Sequence, residues 1–208
     1  YQRCIIKMKN YPYKIYCDMD GVLCDFEKAV VDSINRELAS ENPKNPKLAA
    51  KVVADLGRNY ITAKDIHKYS PGKSKPAAKY MYSLVHDDED WWANLPWMPG
   101  GKELWTYISK YNPDILTSPM DKAGKTESLS GKLTWVKKNL GLDADKVNFA
   151  HDKYKFALSP DGKPNVLIDD FESKVKPFTE AGGIGILHIS TNNTIKILKL
   201  LQEFDKTP

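Results

Sequence analysis

Cysteines and long apolar runs are both scarce in this sequence. Its 208 residues contain three cysteines, Cys4, Cys17 and Cys24, whose spacing fits neither a zinc site nor a redox motif. Three cysteines cannot all pair within one chain, so a reducing compartment is expected. The longest apolar runs, such as 185–189, are far too short to cross a bilayer, and the chain does not open with a basic stretch followed by an apolar one. We therefore expect a cytoplasmic protein with no membrane partner.

Charge is present in both signs, with 31 basic and 27 acidic side chains and a formal net charge of +4 at pH 7. The excess is local, because basic residues crowd the stretch 44–79, which holds few acids. A solvated helical face accounts for such a run. Attraction of an anionic substrate is the alternative.

Strands and helices are predicted to alternate along most of the chain. A β-favouring apolar run at 13–17 is followed by turn residues and then by helical spacing over 26–38. The same order recurs, with strands predicted at 115–116, 147–150, 166–168 and 185–189, and helices at 101–111, 132–140, 172–181 and 195–204. This alternation predicts an α/β fold with a doubly wound parallel sheet that helices cover on both faces.

The stretch 39–97 departs from this alternation. It offers helix-like segments and several prolines but no convincing strand. A chain of 208 residues suggests one main core plus an insertion, so we interpret this stretch as a small α-helical cap inserted into the core. The predicted domains are a discontinuous core of 1–27 and 98–208 and a helical cap of 28–97.

Polar residues stand at the carboxyl ends of four predicted strands. In a parallel sheet these ends meet at one edge, where ligands bind. The four polar strand ends are Asp18-Met19-Asp20-Gly21, Thr117-Ser118-Pro119, His151-Asp152-Lys153 and Asp169-Asp170. A single Asp-X-Asp is a common turn, but four polar strand ends in this order favour a catalytic site.

The residue types at these strand ends suit phosphoryl transfer. Asp18 and Asp20 lie two apart on a tight loop, where one carboxylate can attack while the other donates and removes protons. Gly21 supplies the backbone freedom for the turn. Oxygen ligands from Asp18, Asp170 and a backbone carbonyl would suit Mg²⁺.

The remaining strand ends offer groups that bind phosphate. Thr117 and Ser118 supply hydroxyl donors to phosphate oxygens, although Thr117 could also cap a turn and Asp169 a helix. Lys153 supplies the fixed positive charge that an acid-rich pocket requires. Lys155 and Lys132 compete with Lys153 for this role, and Lys153 is preferred because it directly follows the expected strand end.

These motifs together resemble the haloacid dehalogenase superfamily and, within it, the 5'(3')-deoxyribonucleotidases. The likeness rests on Asp18-Met19-Asp20-Gly21-Val22-Leu23 followed by Asp25-Phe26-Glu27, then Leu116-Thr117-Ser118-Pro119, Asp152-Lys153 and Leu167-Ile168-Asp169-Asp170. It implies that Asp18 is the nucleophile and Asp20 the general acid and base. It also implies that Asp18, the Asp20 carbonyl and Asp170 bind Mg²⁺, while Asp169 supports them without touching the ion.

The resemblance further implies a substrate pocket. Phe26 would flank a nucleoside, and His86 and Trp91 would wall the pocket for its base, although the neighbouring tryptophans could equally pack a hinge or core. The expected function is therefore a magnesium-dependent phosphatase acting on a small phosphate monoester, a (deoxy)ribonucleoside monophosphate. The alternatives are a phosphatase of the same type acting on a polynucleotide 3' end or a sugar phosphate, and a non-catalytic phosphate-binding protein; nucleic acid is the less favoured partner.

Overall fold

The computed structural model describes residues 11–67, 76–120 and 126–204, which divide between two compact units. The first unit comprises the chain up to Cys24, Trp97–Ser118 and the chain from Leu142 onward. The second unit comprises Asp25–Pro96 and Pro119–Gly141. The segment 119–141, which the sequence interpretation counted with the core, thus clusters with the second unit. The domain boundaries expected from the sequence stay a prediction.

The first unit is built on a parallel sheet. Within the described residues its strands are β1 (Ile15–Cys17), β2 (Asp114–Thr117), β3 (Val147–Phe149), β4 (Val166–Asp169) and β5 (Ile184–Leu187). Their spatial order is β3-β2-β1-β4-β5, and every neighbouring pair is parallel. β1 is the central strand, and the later strands lie on both sides of it, so the expected doubly wound α/β fold is confirmed. The register pairs Cys17 with Ile115 on one side and with Ile168 on the other.

Helices occupy most of the remaining described residues. They are α1 (Phe26–Leu38), α2 (Pro46–Leu56), α3 (Ala63–His67), α4 (Pro76–Val85), α5 (Glu89–Ala93), α6 (Gly101–Ile108), α7 (Thr126–Leu140), α8 (Glu172–Glu180) and α9 (Thr191–Phe204). Short 3₁₀ turns follow α6 and lie on either side of β3. Within the part of the chain that the structure describes, none of these helices combines the length and apolar character needed to cross a membrane.

The strands of the first unit pack a continuous core. Both faces of β4 are buried, which explains the unbroken apolar run Val166-Leu167-Ile168. Leu116, Leu167 and Phe178 form one buried cluster with Ala157. This core fixes the positions at which β1, β2 and β4 end, and therefore the start of each polar loop.

The second unit is helical in its described residues. Asp25 caps α1 by accepting a hydrogen bond of 3.0 Å from the Lys28 N–H, and Asn45 caps α2 by accepting one of 3.1 Å from the Leu48 N–H. The helix predicted over 26–38 is confirmed, and it begins and ends at the predicted residues. The helix predicted at 132–140 begins earlier, at Thr126.

Candidate active site

Asp18 stands at the first turn beyond β1. Its N–H donates to the carbonyl of Ile168 at 2.9 Å, so sheet pairing with β4 continues for one residue past the strand. Its side chain is nearly buried, and Oδ1 accepts a hydrogen bond of 2.8 Å from the Met19 N–H. The Met19 carbonyl in turn accepts from the N–H groups of Leu23 and Cys24, both at 2.8 Å. A closed loop therefore holds the Asp18 carboxylate in place.

Gly21 brings the loop after β1 against the loop after β4. Its φ of +75° lies in the left-handed region, and a Cβ atom built on it would overlap Oδ2 of Asp170. Only glycine meets both conditions without strain. The Asp18 loop and the Asp170 carboxylate are thus in direct contact, as the strand-end pattern predicted.

Three carboxylates gather at this contact. Asp18, Asp169 and Asp170 each offer an oxygen, and these oxygens all lie within 4.8 Å of one another. Asp169 is fully buried, and both of its oxygens are engaged: Oδ2 lies 2.6 Å from Lys153 Nζ, and Oδ1 accepts from the Phe171 N–H at 2.9 Å. Oδ1 of Asp170 is buried and has no hydrogen-bond partner among the described residues. Such an atom is costly unless a cation or a proton reaches it.

Lys153 places a positive charge among these acids. Its Nζ lies 2.9 Å from Oδ2 of Asp18 and 2.6 Å from Oδ2 of Asp169, and its side chain is about as buried as theirs. Burial lowers the pKa of Lys153, but the negative charges of Asp18 and Asp169 raise it by a larger amount. The net change is upward, so the ammonium stays charged. Lys153, the lysine preferred from the sequence, is thus in contact with Asp18.

The site holds more negative charge than Lys153 neutralises. Burial, followed by Asp18 and Asp169, raises the pKa of Asp170 to about 7. Burial and Asp18 also raise the pKa of Asp169, although Lys153 opposes them. A carboxylate cluster of this kind favours a divalent cation with a preference for oxygen ligands.

Thr117 and Ser118 tie the loop after β2 to the loop after β3. The Thr117 carbonyl accepts from the Ala150 N–H at 3.0 Å, and the Ser118 hydroxyl donates to the Ala150 carbonyl at 3.1 Å. A hydroxyl has one proton, so this contact uses the donor that the sequence interpretation assigned to phosphate. The predicted phosphate binding by Thr117, Ser118 and Lys153 stays a prediction.

The predicted substrate residues all lie in the second unit. The ring centroids of Phe26 and Trp91 are 5.7 Å apart, and Trp92 contacts both at 5.5 and 5.0 Å. Trp91 also donates through Nε1 to the Ser33 hydroxyl at 2.9 Å. Phe26 and Trp91 thus belong to one aromatic group.

His86 follows α4 and makes local contacts. Its ring lies 4.2 Å from that of Tyr82, and its Nδ1 lies 2.5 Å from Oδ1 of Asp87. Lys132, one of the two lysines that competed with Lys153 in the sequence, is buried, and its Nζ lies 5.2 Å from the ring centroid of Trp92. The pocket roles of Phe26, Trp91 and His86 stay predictions.

One residue that contacts the loop after β3 was not predicted from the sequence. Lys174, in the first turn of α8, donates through Nζ to the His151 carbonyl at 2.9 Å. A lysine at the amino end of a helix, where the helix dipole disfavours positive charge, was the available signal.

Solved structures of two hydrolases share this fold. A hydrolase from Streptococcus pneumoniae is 13% identical, with a TM-score of 0.52, and the match covers 90% of this chain and 98% of that one. The HAD-hydrolase YfnB from Bacillus subtilis, solved with bound magnesium, is 11% identical, with a TM-score of 0.50, and the match covers 91% of this chain and 99% of that one. No protein-family model and no curated protein sequence matches the chain. The chain therefore has the α/β fold of haloacid dehalogenase-type hydrolases.

Proposed function

We propose that this protein is a magnesium-dependent phosphatase of the haloacid dehalogenase superfamily, which hydrolyses a phosphate monoester through an aspartyl-phosphate intermediate. The observation that carries the proposal is the convergence of Asp18, Lys153 and Asp170 at the carboxyl edge of the sheet. A carboxylate nucleophile, a fixed cation and a candidate metal ligand are the parts that this chemistry needs.

Mg²⁺ fits the donors at this edge. Asp18, the carbonyl of Asp20 and Asp170 would hold it, since all three offer hard oxygen atoms. The buried Oδ1 of Asp170, which has no hydrogen-bond partner among the described residues, supports this choice over Asp169, whose oxygens are both engaged. When bound, the ion supplies positive charge that stabilises the phosphoryl oxygens in the transition state.

The chain's own residues carry the two chemical steps. In the first, a carboxylate oxygen of Asp18 forms a bond to phosphorus, the ester P–O bond breaks, and Asp20 donates its proton to the departing oxygen. In the second, Asp20 removes a proton from water, the water oxygen attacks phosphorus, and the bond to Asp18 breaks. Lys153 stays protonated throughout and stabilises charge beside Asp18.

The proposed substrate is a (deoxy)ribonucleoside monophosphate. The contacting rings of Phe26 and Trp91 support it, because flat aromatic faces can stack on a nucleobase. His86 is the third residue proposed for this pocket. Thr117 and Ser118 are proposed to orient the phosphoryl oxygens, and Ser118 would do so by exchanging its hydrogen bond to the Ala150 carbonyl for one to phosphate.

Phosphatase activity is tested with Mg²⁺ on a panel of nucleoside monophosphates, 3'-phosphorylated oligonucleotides and sugar phosphates. We expect release of phosphate, fastest from a nucleoside monophosphate, and a hydroxylamine-labile phosphoryl group on acid-quenched protein. Asp18→Asn should reduce turnover by at least about a thousandfold, because an amide cannot attack phosphorus.

Asp161→Asn is the matched control, because Asp161 is an exposed carboxylate on the loop before β4, and it should turn over like the wild type. Faster release of phosphate from oligonucleotides or sugar phosphates than from nucleoside monophosphates would contradict the proposed substrate but not the phosphatase activity. Full activity of Asp18→Asn would contradict the assignment of Asp18 as the nucleophile. Phosphate binding without turnover of any substrate would contradict the proposal that the protein is an enzyme.

A further inference from the structure

The short loop that leads from β3 to Lys153 is held from two sides. On one side the Ser118 hydroxyl donates to the Ala150 carbonyl at 3.1 Å. On the other the Lys174 ammonium donates to the next carbonyl along, that of His151, at 2.9 Å. Two consecutive carbonyls are therefore fixed by side chains from neighbouring segments.

Lys174 occupies a position where a lysine is electrostatically disfavoured. It is the third residue of α8, and the amino end of a helix carries partial positive charge. Its side chain is nevertheless half-buried and directed to a carbonyl of a different loop. Hydrogen bonds with a charged donor are stronger than neutral ones, so this contact offsets the unfavourable helix position.

The position of the His151 carbonyl limits where Lys153 can lie. Only Asp152 separates the two residues, and the chain enters a 3₁₀ turn at Lys153, with the Lys155 N–H donating to the Asp152 carbonyl at 3.1 Å. The Lys153 ammonium has little freedom, because it must stay 2.9 Å from Asp18 and 2.6 Å from Asp169. A shift of the loop would therefore lengthen one or both contacts.

Lys174 also links this loop to the loop after β4. The Phe171 carbonyl accepts from the Lys174 N–H at 2.9 Å, and Phe171 directly follows Asp170. One residue thus holds the segment that carries the active-site ammonium against the segment that carries the proposed metal ligand.

We propose that Lys174 is a positioning residue, which sets the Lys153 ammonium against Asp18 by holding the His151 carbonyl. The inference rests on the proposed phosphatase function, since it assigns Lys174 a role in that reaction. Lys174 acts through the loop backbone and has no contact with the reacting atoms in this role.

The test compares Lys174→Met, Lys174→Arg and Lys176→Met. Lys174→Met keeps the length of the side chain without the donor and should lower kcat roughly ten- to a hundredfold with a much smaller change in KM, because small misplacements of a catalytic group have effects of that size. Lys174→Arg should recover most of the activity. Lys176→Met is the matched control, because Lys176 is exposed on the same helix and pairs with Glu180 only at 4.0 Å, and it should behave as the wild type.

Hydrogen exchange separates failure of this inference from failure of the proposed function. The amides of Lys155 and Ala157 close the 3₁₀ turn. They should exchange faster than in the wild type in Lys174→Met, and at the wild-type rate in Lys176→Met. This result does not need turnover, so it decides the loop-holding role even if the wild type hydrolyses no substrate. Unchanged kcat in Lys174→Met of an active enzyme, or unchanged exchange of both amides, would overturn the proposal.

Discussion

The contact between Gly21 and Asp170 depends on an atom that glycine lacks. A Cβ at position 21 would overlap the Asp170 carboxylate, and the φ of +75° would add backbone strain. Gly57 offers a comparison, because its φ of +67° is similar but no atom lies within 4 Å of its would-be Cβ. Substitutions at the two glycines can therefore be compared to separate the effect of backbone strain from that of steric overlap.

Alanine at each of these glycines should have different consequences. We expect Gly57→Ala to lower the free energy of unfolding by about 1–2 kcal/mol, the cost of a left-handed L-residue, and Gly21→Ala to lower it by more, because its Cβ also overlaps the Asp170 carboxylate. Only Gly21→Ala should also weaken Mg²⁺ binding, because it displaces Asp170. Denaturant unfolding and Mg²⁺ titration measure the two effects. Equal Mg²⁺ affinity in Gly21→Ala and the wild type would show that Asp170 does not bind the ion.

Lys153, Asp18 and Asp169 form a buried ionic group. Desolvation of buried charges offsets much of their attraction, so such groups contribute little to stability by themselves. Both oxygens of Asp169 are engaged, one with the Lys153 ammonium and the other with the Phe171 N–H. Its effect is to hold the ammonium beside Asp18.

Among the elements, α7 shows how packing can override helix propensity. The sequence predicted a helix over 132–140, yet the helix begins at Thr126 and runs through Gly131, although glycine is a poor helix former. A Cβ on Gly131 would overlap the Cβ of Trp92 and the Glu89 carbonyl on α5. The glycine therefore permits the close approach of α5 and α7 within the second unit.

Gly131→Ala should be destabilising even though alanine favours helices. Alanine gains about 1 kcal/mol in propensity, but the overlap with α5 backbone costs about 1–3 kcal/mol or more, so we expect a net loss in thermal unfolding. Thr134→Ala, at an exposed position of α7, is the control and should be neutral or slightly stabilising. A rise in the unfolding midpoint of Gly131→Ala would mean that α5 and α7 are not closely packed there.

For the molecule as a whole, pH should act through Asp170. Its pKa of about 7 in the folded protein lies above that of a carboxyl group in an unfolded chain, about 4. The folded state therefore binds this proton more tightly, and the resulting stability is fully present below about pH 4 and is lost as pH rises through about 7. If Asp170 binds Mg²⁺ as proposed, the same proton competes with the ion.

We expect the metal-free protein to lose stability through Asp170 between about pH 4 and about pH 7, while the affinity for Mg²⁺ rises over that interval. Thermal unfolding with and without Mg²⁺ across this range measures both trends. Asp170→Asn should remove the Asp170 contribution to each. An Mg²⁺ affinity that is the same at both ends of the range would contradict the role of Asp170 as a titrating ligand.

Most of the fold could be predicted from local patterns. The bounds of α1 follow from its capping residue Asp25 and its periodicity, and the strands follow from short apolar runs. The approach of Asp18 to Asp170 was also predictable, because parallel strands bring their carboxyl ends to one edge. The start of α7 was not, since the contact that favours Gly131 lies on another helix.

The sequence favoured Lys153 among the three candidate lysines because it directly follows a predicted strand end, but the contacts of each ammonium come only from the tertiary structure. Lys153 contacts Asp18, Lys155 pairs with Asp152 at 3.0 Å in an exposed position, and Lys132 lies over Trp92. All three are lysines near predicted strand or helix ends. The direction of each side chain, which decides its contacts, could not be predicted.

The amino-acid sequence by itself determined the alternation of strands and helices and the polar residues at the strand ends, because periodicity and turn chemistry act between neighbouring residues. The tertiary structure alone decided that Lys153 meets Asp18, that Gly21 faces Asp170 and that Lys174 reaches His151. These contacts join segments far apart in the chain, and their geometry depends on how the sheet and its helices pack.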